Sequence, residues 1–133
     1  QAFKNNKRIT KVSIGGNVTS IGQYAFSGCT KLKTVTLGSK VAAIGTRSFF
    51  KCTKLTKITF PATVNKIGSQ AFYGCKKLKN MTVKTTKLTD KKVGSKAFRG
   101  IYSKASIKVP KRKRNAYKKW LKKKGIGSKV RII

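Results

Sequence analysis

Asp90 is the only acidic side chain in 133 residues, there is no histidine, and the three cysteines, Cys29, Cys52 and Cys75, stand far apart. These few groups bound the chemistry open to the chain. General acid/base catalysis needs a side chain that exchanges a proton near neutral pH, normally His, Asp or Glu. Metal sites need clusters of His, Cys, Asp or Glu, and scattered cysteines without histidine supply none. A Ser/His/Asp or Cys/His nucleophile cannot be assembled, and only a Ser–Lys pair remains formally possible. The composition therefore reads as non-enzymatic, with no cofactor and no metal expected. Against the single acid stand 34 Lys and Arg, a formal net charge of +33. Such a field attracts polyanions and, through self-repulsion, opposes compaction, so full stability is expected to require salt, a polyanion or an acidic neighbour.

The length suits one domain, and 38% hydrophobic residues is low to moderate for filling a core. No window holds the roughly 18 apolar residues of a membrane span, and no charged-then-apolar stretch resembles a signal peptide. The chain opens in mid-pattern at Gln1, which predicts a piece of a larger protein, monomeric within it.

The elements that position these residues repeat. Ile21-Gly22 recurs as Ile44-Gly45 and Ile67-Gly68, each 23 residues on. The same interval aligns Phe26, Phe49 and Phe72, then Cys29, Cys52 and Cys75, then Leu32, Leu55 and Leu78, then Val35, Ile58 and Met81. Ile9, Val12 and Ile14 form a partial opening repeat. Val93-Gly94 and Phe98 fall 26 residues after Ile67-Gly68 and Phe72, which places a three-residue insertion, carrying Asp90, between Val83 and Val93. A 23-residue period centred on Leu-x-x-Val-x-Leu lies in the leucine-rich-repeat range, one solenoid coil per repeat.

In Thr34-Val35-Thr36-Leu37 the alternation turns Val35 and Leu37 inward and Thr34 and Thr36 outward, so stacked coils form a parallel sheet. The three- and four-residue spacing of apolar positions from Ile21 to Leu32 predicts a helical turn behind the sheet. Gly22, Gly45, Gly68 and Gly94 mark the bend into it, either because a side chain would crowd the backbone or because φ is positive. Pro61 and Pro110 follow strands, where a missing N–H costs little.

The string Ile-Gly-x-x-Ala-Phe-x-Gly-Cys-x-x-Leu-x-x-Val-x-Leu, from Ile21 to Leu37 and echoed from Ile67 to Val83, resembles the BspA-like leucine-rich repeat family of bacterial surface proteins. The likeness spans almost the whole chain, including Ile107-Lys108-Val109-Pro110 and the Lys-rich segment after it; Lys51 departs from the glycine slot and Lys104 from a leucine slot, with Ile101 as substitute. It implies an α/β repeat solenoid, a right-handed coil with a short parallel β-sheet on its concave face. It further implies an extracellular or cell-wall-attached protein used for adhesion. The expected division is a solenoid of about five coils over residues 1–109 and a basic cap over 110–133.

Cysteines aligned one per coil read as small buried residues, and side chains stacked in register point the same way, a poor geometry for disulfides. An odd number would otherwise suggest a reactive thiol, so they do not report the redox compartment. In the cap, Tyr117, Trp120 and Leu121 share one helical face and are expected to cover the open solenoid end, with Gly125 as C-cap and Val130 to Ile133 as an edge strand. The cations Lys111, Arg112, Lys113, Arg114, Lys118, Lys119, Lys122 and Lys123 form a candidate polyanion patch; the alternative is a solvated capping face.

The outward strand positions define the candidate binding face: Lys11 and Ser13, Thr34 and Thr36, Lys57 and Thr59, Asn80 and Thr82, Ser106 and Lys108. It lacks aromatics, so base stacking has no platform, and attraction to phosphate or sulfate without sequence readout fits better. Phe50 and Tyr73 share a slot on the back, where local packing is the expected role. Two functions follow: an adhesion module for teichoic acid, sulfated glycans or acidic host proteins, or a non-specific nucleic-acid-binding protein. A spacer without specific ligand is a third.

Overall fold

The computed structural model describes residues 3–133. Six short strands form one parallel sheet in the order β1 (Lys11–Ser13), β3 (Thr34–Thr36), β5 (Lys57–Phe60), β7 (Asn80–Val83), β8 (Ser106–Lys108) and β9 (Arg131–Ile132). The predicted register holds: Lys11 pairs with Thr34, Thr34 with Lys57, Lys57 with Asn80, and Asn80 with Ser106 across the three-residue insertion. A second, three-stranded parallel sheet runs along another side through β2 (Ser20–Ile21), β4 (Ala43–Ile44) and β6 (Lys66–Ile67), a ladder the sequence reading did not anticipate. Val93 extends it by bridging to Ile67.

The segment from Ile21 to Leu32 is tighter than the helical turn its spacing predicts. Two residues per coil are left-handed: Tyr24, Arg47, Gln70 and Lys96 in one slot, with φ between 52° and 60°, and Gly28, Lys51, Gly74 and Gly100 in the other. The amides then alternate in direction. Ala25, Ser27 and Cys29 donate three residues back, to Gly22, Tyr24 and Phe26, whereas Tyr24, Phe26 and Gly28 donate to Thr46, Ser48 and Phe50 of the next coil. A helix would use every amide internally; consecutive β-turns release half of them to bind the coils together. Gly45, Gly68 and Gly94 answer to crowding and not to φ: none has positive φ, but a Cβ on Gly45 would stand 2.7 Å from the Gln23 amide nitrogen, and one on Gly68 or Gly94 would meet the preceding coil still more closely.

The core is the set of aligned columns. Phe26, Phe49, Phe72 and Phe98 form a buried ladder of stacked rings, extended at its open end by the exposed Phe3, with centroids 5.2 to 5.8 Å apart, while Cys29, Cys52, Cys75, Leu32, Leu55 and Leu78 are fully buried beside it. In the last repeat Ile101 is buried and Lys104 exposed. Asn6 stands where later coils have cysteine, and its side-chain oxygen accepts from the amides of Arg8 and Ile9 at 2.8 and 3.1 Å.

After Pro110, a 3₁₀ turn at Lys111–Lys113 leads into α1 (Arg114–Leu121), which ends through a second 3₁₀ turn at Lys122–Lys124 and the left-handed Gly125. Tyr117, Trp120 and Leu121 are buried on its inner face, and β9 adds to the sheet in parallel with β8. The insertion loop, Asp90 included, meets this cap through polar contacts. Lys124, itself buried, reaches Asp90 Oδ1 at 2.8 Å and donates to its carbonyl at 3.0 Å, and the Tyr117 hydroxyl donates to the Thr85 carbonyl at 2.9 Å while accepting from the Leu88 amide. Among the described residues no helix is long and apolar enough to cross a membrane.

Candidate binding surface

Each strand of the larger sheet contributes outward side chains at positions fixed by the ladder. One row runs Lys11, Thr34, Lys57, Asn80, Ser106; beside it Ser13 pairs with Thr36, and Thr59, Thr82 and Lys108 stand in register. Neighbouring strands lie about 4.8 Å apart, so the row is a regular file of small polar and cationic groups. Lys11, Ser13, Thr36, Lys57, Thr59, Asn80 and Lys108 are exposed, and Thr34, Thr82 and Ser106 half-buried.

The sheet brings only part of this set into one concavity. Thr34, Thr36, Lys57 and Thr59 line an open groove of about 670 Å³, completed by Ser39, Lys84 and the Pro61–Thr63 turn. Lys11, Ser13, Asn80, Thr82, Ser106 and Lys108 lie on the same sheet outside that groove. The alternation rule located the strand residues but not the turn residues, because it carries no information on where the chain goes after a strand. Arg131 was also missed: it pairs with Ser106 at the end of the row and donates to its hydroxyl at 3.0 Å.

The cap patch divides by position. Lys111, Arg112, Lys118, Lys119, Lys122 and Lys123 are exposed, whereas Lys113 and Arg114 are half-buried, with the Arg114 Nε enclosed and without a hydrogen-bond partner. Lys118 and Lys122 adjoin β9, so they border the end of the sheet, and Lys123 stands 3.5 Å from Asp90. The hydrogen bond from Lys124 holds the Asp90 carboxyl below its ordinary value, against a partial desolvation that works the other way.

The groups capable of chemistry are turned inward. Each cysteine thiol donates at 3.2 Å to a carbonyl of the preceding coil, Cys29 to Phe3, Cys52 to Phe26 and Cys75 to Phe49, and none is disulfide-bonded. Burial pushes the Cys52 thiol up to about 12 and raises the Cys75 thiol well above its ordinary value, leaving almost no thiolate at neutral pH. Among the described residues no three His, Cys, Asp or Glu groups converge on a possible metal position. On the back, Phe50 stacks on Tyr73 at 5.2 Å, with the Arg47 guanidinium 5.0 Å from the Phe50 ring and hydrogen-bonded to Gln70. Those rings are occupied by their own neighbours.

No curated protein sequence matches the chain. Its structure is similar to that of a leucine-rich repeat protein from Bacteroides ovatus ATCC 8483, with a TM-score of 0.76 and 29% identity over 94% of this chain and 30% of that one. It is also similar to the T. pallidum leucine-rich repeat protein TpLRR, with a TM-score of 0.67 and 34% identity over 76% of this chain and 46% of that one. The chain thus spans less than half the length of either solved structure. The profile of the BspA type leucine-rich repeat region matches residues 1–124 in six copies, and with the columns, sheet and coil geometry above, the chain belongs to the BspA-type leucine-rich repeat family.

Proposed function

We propose that this chain is a non-enzymatic interaction module of a bacterial cell-surface or secreted protein, and that its concave sheet face engages an anionic partner. The partner classes that fit are an anionic glycopolymer, such as teichoic acid or a sulfated glycan, and an acidic protein. Membership of a leucine-rich repeat family supports an interaction role. One observation carries the rest: the row from Lys11 to Ser106 is held in strict register with Lys57 at its centre, and the only carboxylate side chain of the protein lies away from it, tied to the cap. A fixed file of cations and hydroxyls without counter-charges attracts anions at long range and offers hydrogen bonds at contact. The cap cations add to the field that guides encounter.

The test is binding to teichoic acid, heparin, duplex DNA and acidic matrix proteins, titrated from low to physiological salt. One ligand should persist at physiological salt and be lost on changing Lys11, Lys57 and Lys108 to Gln. A common decline of all ligands along one salt slope would reduce the charge to generic ion exchange and sink the reading.

A further inference from the structure

The groove on the concave sheet face is shaped by a break in one row of side chains. It follows the strands, between β3 and β5, and ends against the turn at residues 61–63. Gly38, Pro61 and Lys84 stand 23 residues apart, in one slot of three successive coils just past the strands. Gly38 offers no side chain there and can carry none, because a Cβ would collide with the Gly15 carbonyl of the preceding coil. Pro61 and Lys84 rise beside the gap as a wall. That wall is fixed in advance: the Thr63 hydroxyl donates to the Val41 carbonyl at 2.6 Å and lies 3.0 Å from that of Ser39. A ligand is spared the cost of ordering it.

Charge in the groove is confined to its two ends. Of the twelve residues that line it, only Lys57 and Lys84 are cations. Both are exposed, and among the described residues the ion pairs belong to Lys123 and Lys124 and not to them. Exposed cations are the rule in this chain; an uncharged stretch held between two of them in a concavity is not. The stretch is made by Thr36, Thr59, Leu37, Pro61 and Ala62. Lys84 stands beside Pro61, since β5 and β7 pair Phe60 with Val83 and the Lys84 amide donates to the Phe60 carbonyl at 3.0 Å. Lys57 therefore lies four residues back along the strand direction and one strand across, about 14 Å between Cα atoms.

This arrangement separates the partner classes. A polymer with an anion on nearly every unit leaves charges over the neutral stretch, and it gains more at the cap, where nine of the fourteen residues 111–124 are Lys or Arg. A second copy of this chain has no acidic segment to offer, for its single acid is tied to Lys124. An extended peptide matches the groove. Its residues i and i+4 share one face about 13 Å apart with i+2 midway, a difference from 14 Å that flexible lysine stems absorb. Carboxylates at i and i+4 then meet Lys57 and Lys84, and an apolar side chain at i+2 rests on Leu37, Pro61 and the threonine methyls.

We infer that the groove takes an extended segment of an acidic protein in which two carboxylates, four residues apart, flank an apolar side chain. The inference rests on the concave-face reading above and selects the acidic protein from its partner classes.

The test uses the full chain at physiological salt and fluorescently labelled peptides with blocked ends, read by anisotropy. The matched peptide is Gly-Ser-Glu-Ser-Leu-Ser-Glu-Ser-Gly. One comparison peptide keeps its composition with the glutamates adjacent, Gly-Ser-Glu-Glu-Leu-Ser-Ser-Ser-Gly; the other replaces its leucine by serine. The matched peptide should bind about fivefold or more tighter than either. Changing Lys57 and Lys84 to Gln should abolish that preference, while changing Lys118 and Lys119 to Gln, an equal loss of charge, should leave it intact. A heparin oligosaccharide should show the reverse dependence and lose more affinity in the cap variant. Equal binding of the three peptides, or a preference that survives the loss of Lys57 and Lys84, would overturn the inference. Heparin binding that depends on Lys57 and Lys84 more than on the cap would give the groove to a glycopolymer and overturn it as well. In these cases the concave-face reading still stands if changing Lys11, Lys57 and Lys108 to Gln costs an anionic ligand its binding; if no ligand responds to that variant, both fall.

Discussion

Phe26, Phe49 and Phe72 stack at 5.4 and 5.2 Å and any one could stand for the next, whereas Tyr117 and Lys124 in the cap hold contacts made once in the molecule. The coils gain stability by repetition, as each buries a neighbour's apolar face and accepts its amides. Loss at one level is spread over the two beside it, as expected of a quasi-one-dimensional stack. The cap cannot share load in this way. Its helix and the 3₁₀ turn that follows are joined to the insertion loop by the buried Tyr117 hydroxyl, the buried Lys124 ammonium and the exposed Lys123 ammonium, in a chain otherwise dominated by mutual repulsion. A single acid among 34 cations thus has a structural employment: Asp90 holds down the helix that closes the core.

Trp120 is the only tryptophan and is buried in the cap, so its fluorescence reports that region while far-ultraviolet circular dichroism reports the coils. Phe49→Ala should have the largest effect, about 3–5 kcal/mol of stability, by opening a cavity in the middle of the ladder; the loss should show by both probes. Tyr117→Phe leaves the Thr85 carbonyl and the Leu88 amide without their partner and should cost about 1–3 kcal/mol. Here the fluorescence transition should precede the dichroism transition. Coincident transitions in both variants would mean that coils and cap melt as one unit, and the contrast between them would fail.

Ser48 sharpens the coil side of the contrast. Its hydroxyl is fully buried without a partner, in a slot filled by Ala25, Ala71 and Ala97 elsewhere. Ser48→Ala should therefore raise stability by about 1 kcal/mol in a denaturant titration.

The smallest effect is expected at Asp90, whose carboxylate is nearly half exposed. Because its folded pKa lies below the ordinary 3.8, the unfolded chain binds more protons in that window. The contribution is present above pH 3.8 and is lost as pH falls through the lowered value. Fluorescence melts should shift down over that interval in the wild type and lose that shift in Asp90→Asn. An unchanged acid profile in the variant would remove Asp90 from the account.

The same contrast governs what could be read from sequence. Columns such as Phe26, Phe49 and Phe72 repeat at a fixed interval, so pairing, register and the outward strand rows are legible in the sequence. The helical turn behind the sheet was misjudged because apolar spacing cannot distinguish a helix from consecutive β-turns; left-handed Tyr24, Arg47 and Gln70 carry no glycine to announce them. The contacts of Lys124 with Asp90 and of Tyr117 with Thr85 have no second copy from which to infer them. For the candidate face, alternation supplied Thr34, Thr36, Lys57 and Thr59, while Ser39, Lys84 and the Pro61–Thr63 turn depend on the path of the chain between strands.

If the coils carry recognition and the cap carries closure, binding must be more sensitive to the sheet than to the helix. The direct measurement is affinity at physiological salt for the best ligand of the panel, in wild type, in the Lys11, Lys57 and Lys108 to Gln variant, and in a Lys118, Lys119 and Lys122 to Gln variant of equal charge. The account predicts a loss of about tenfold or more, roughly 1.4 kcal/mol, for the sheet variant and a much smaller one for the helix variant. Equal losses, or a greater loss from the helix, would contradict it.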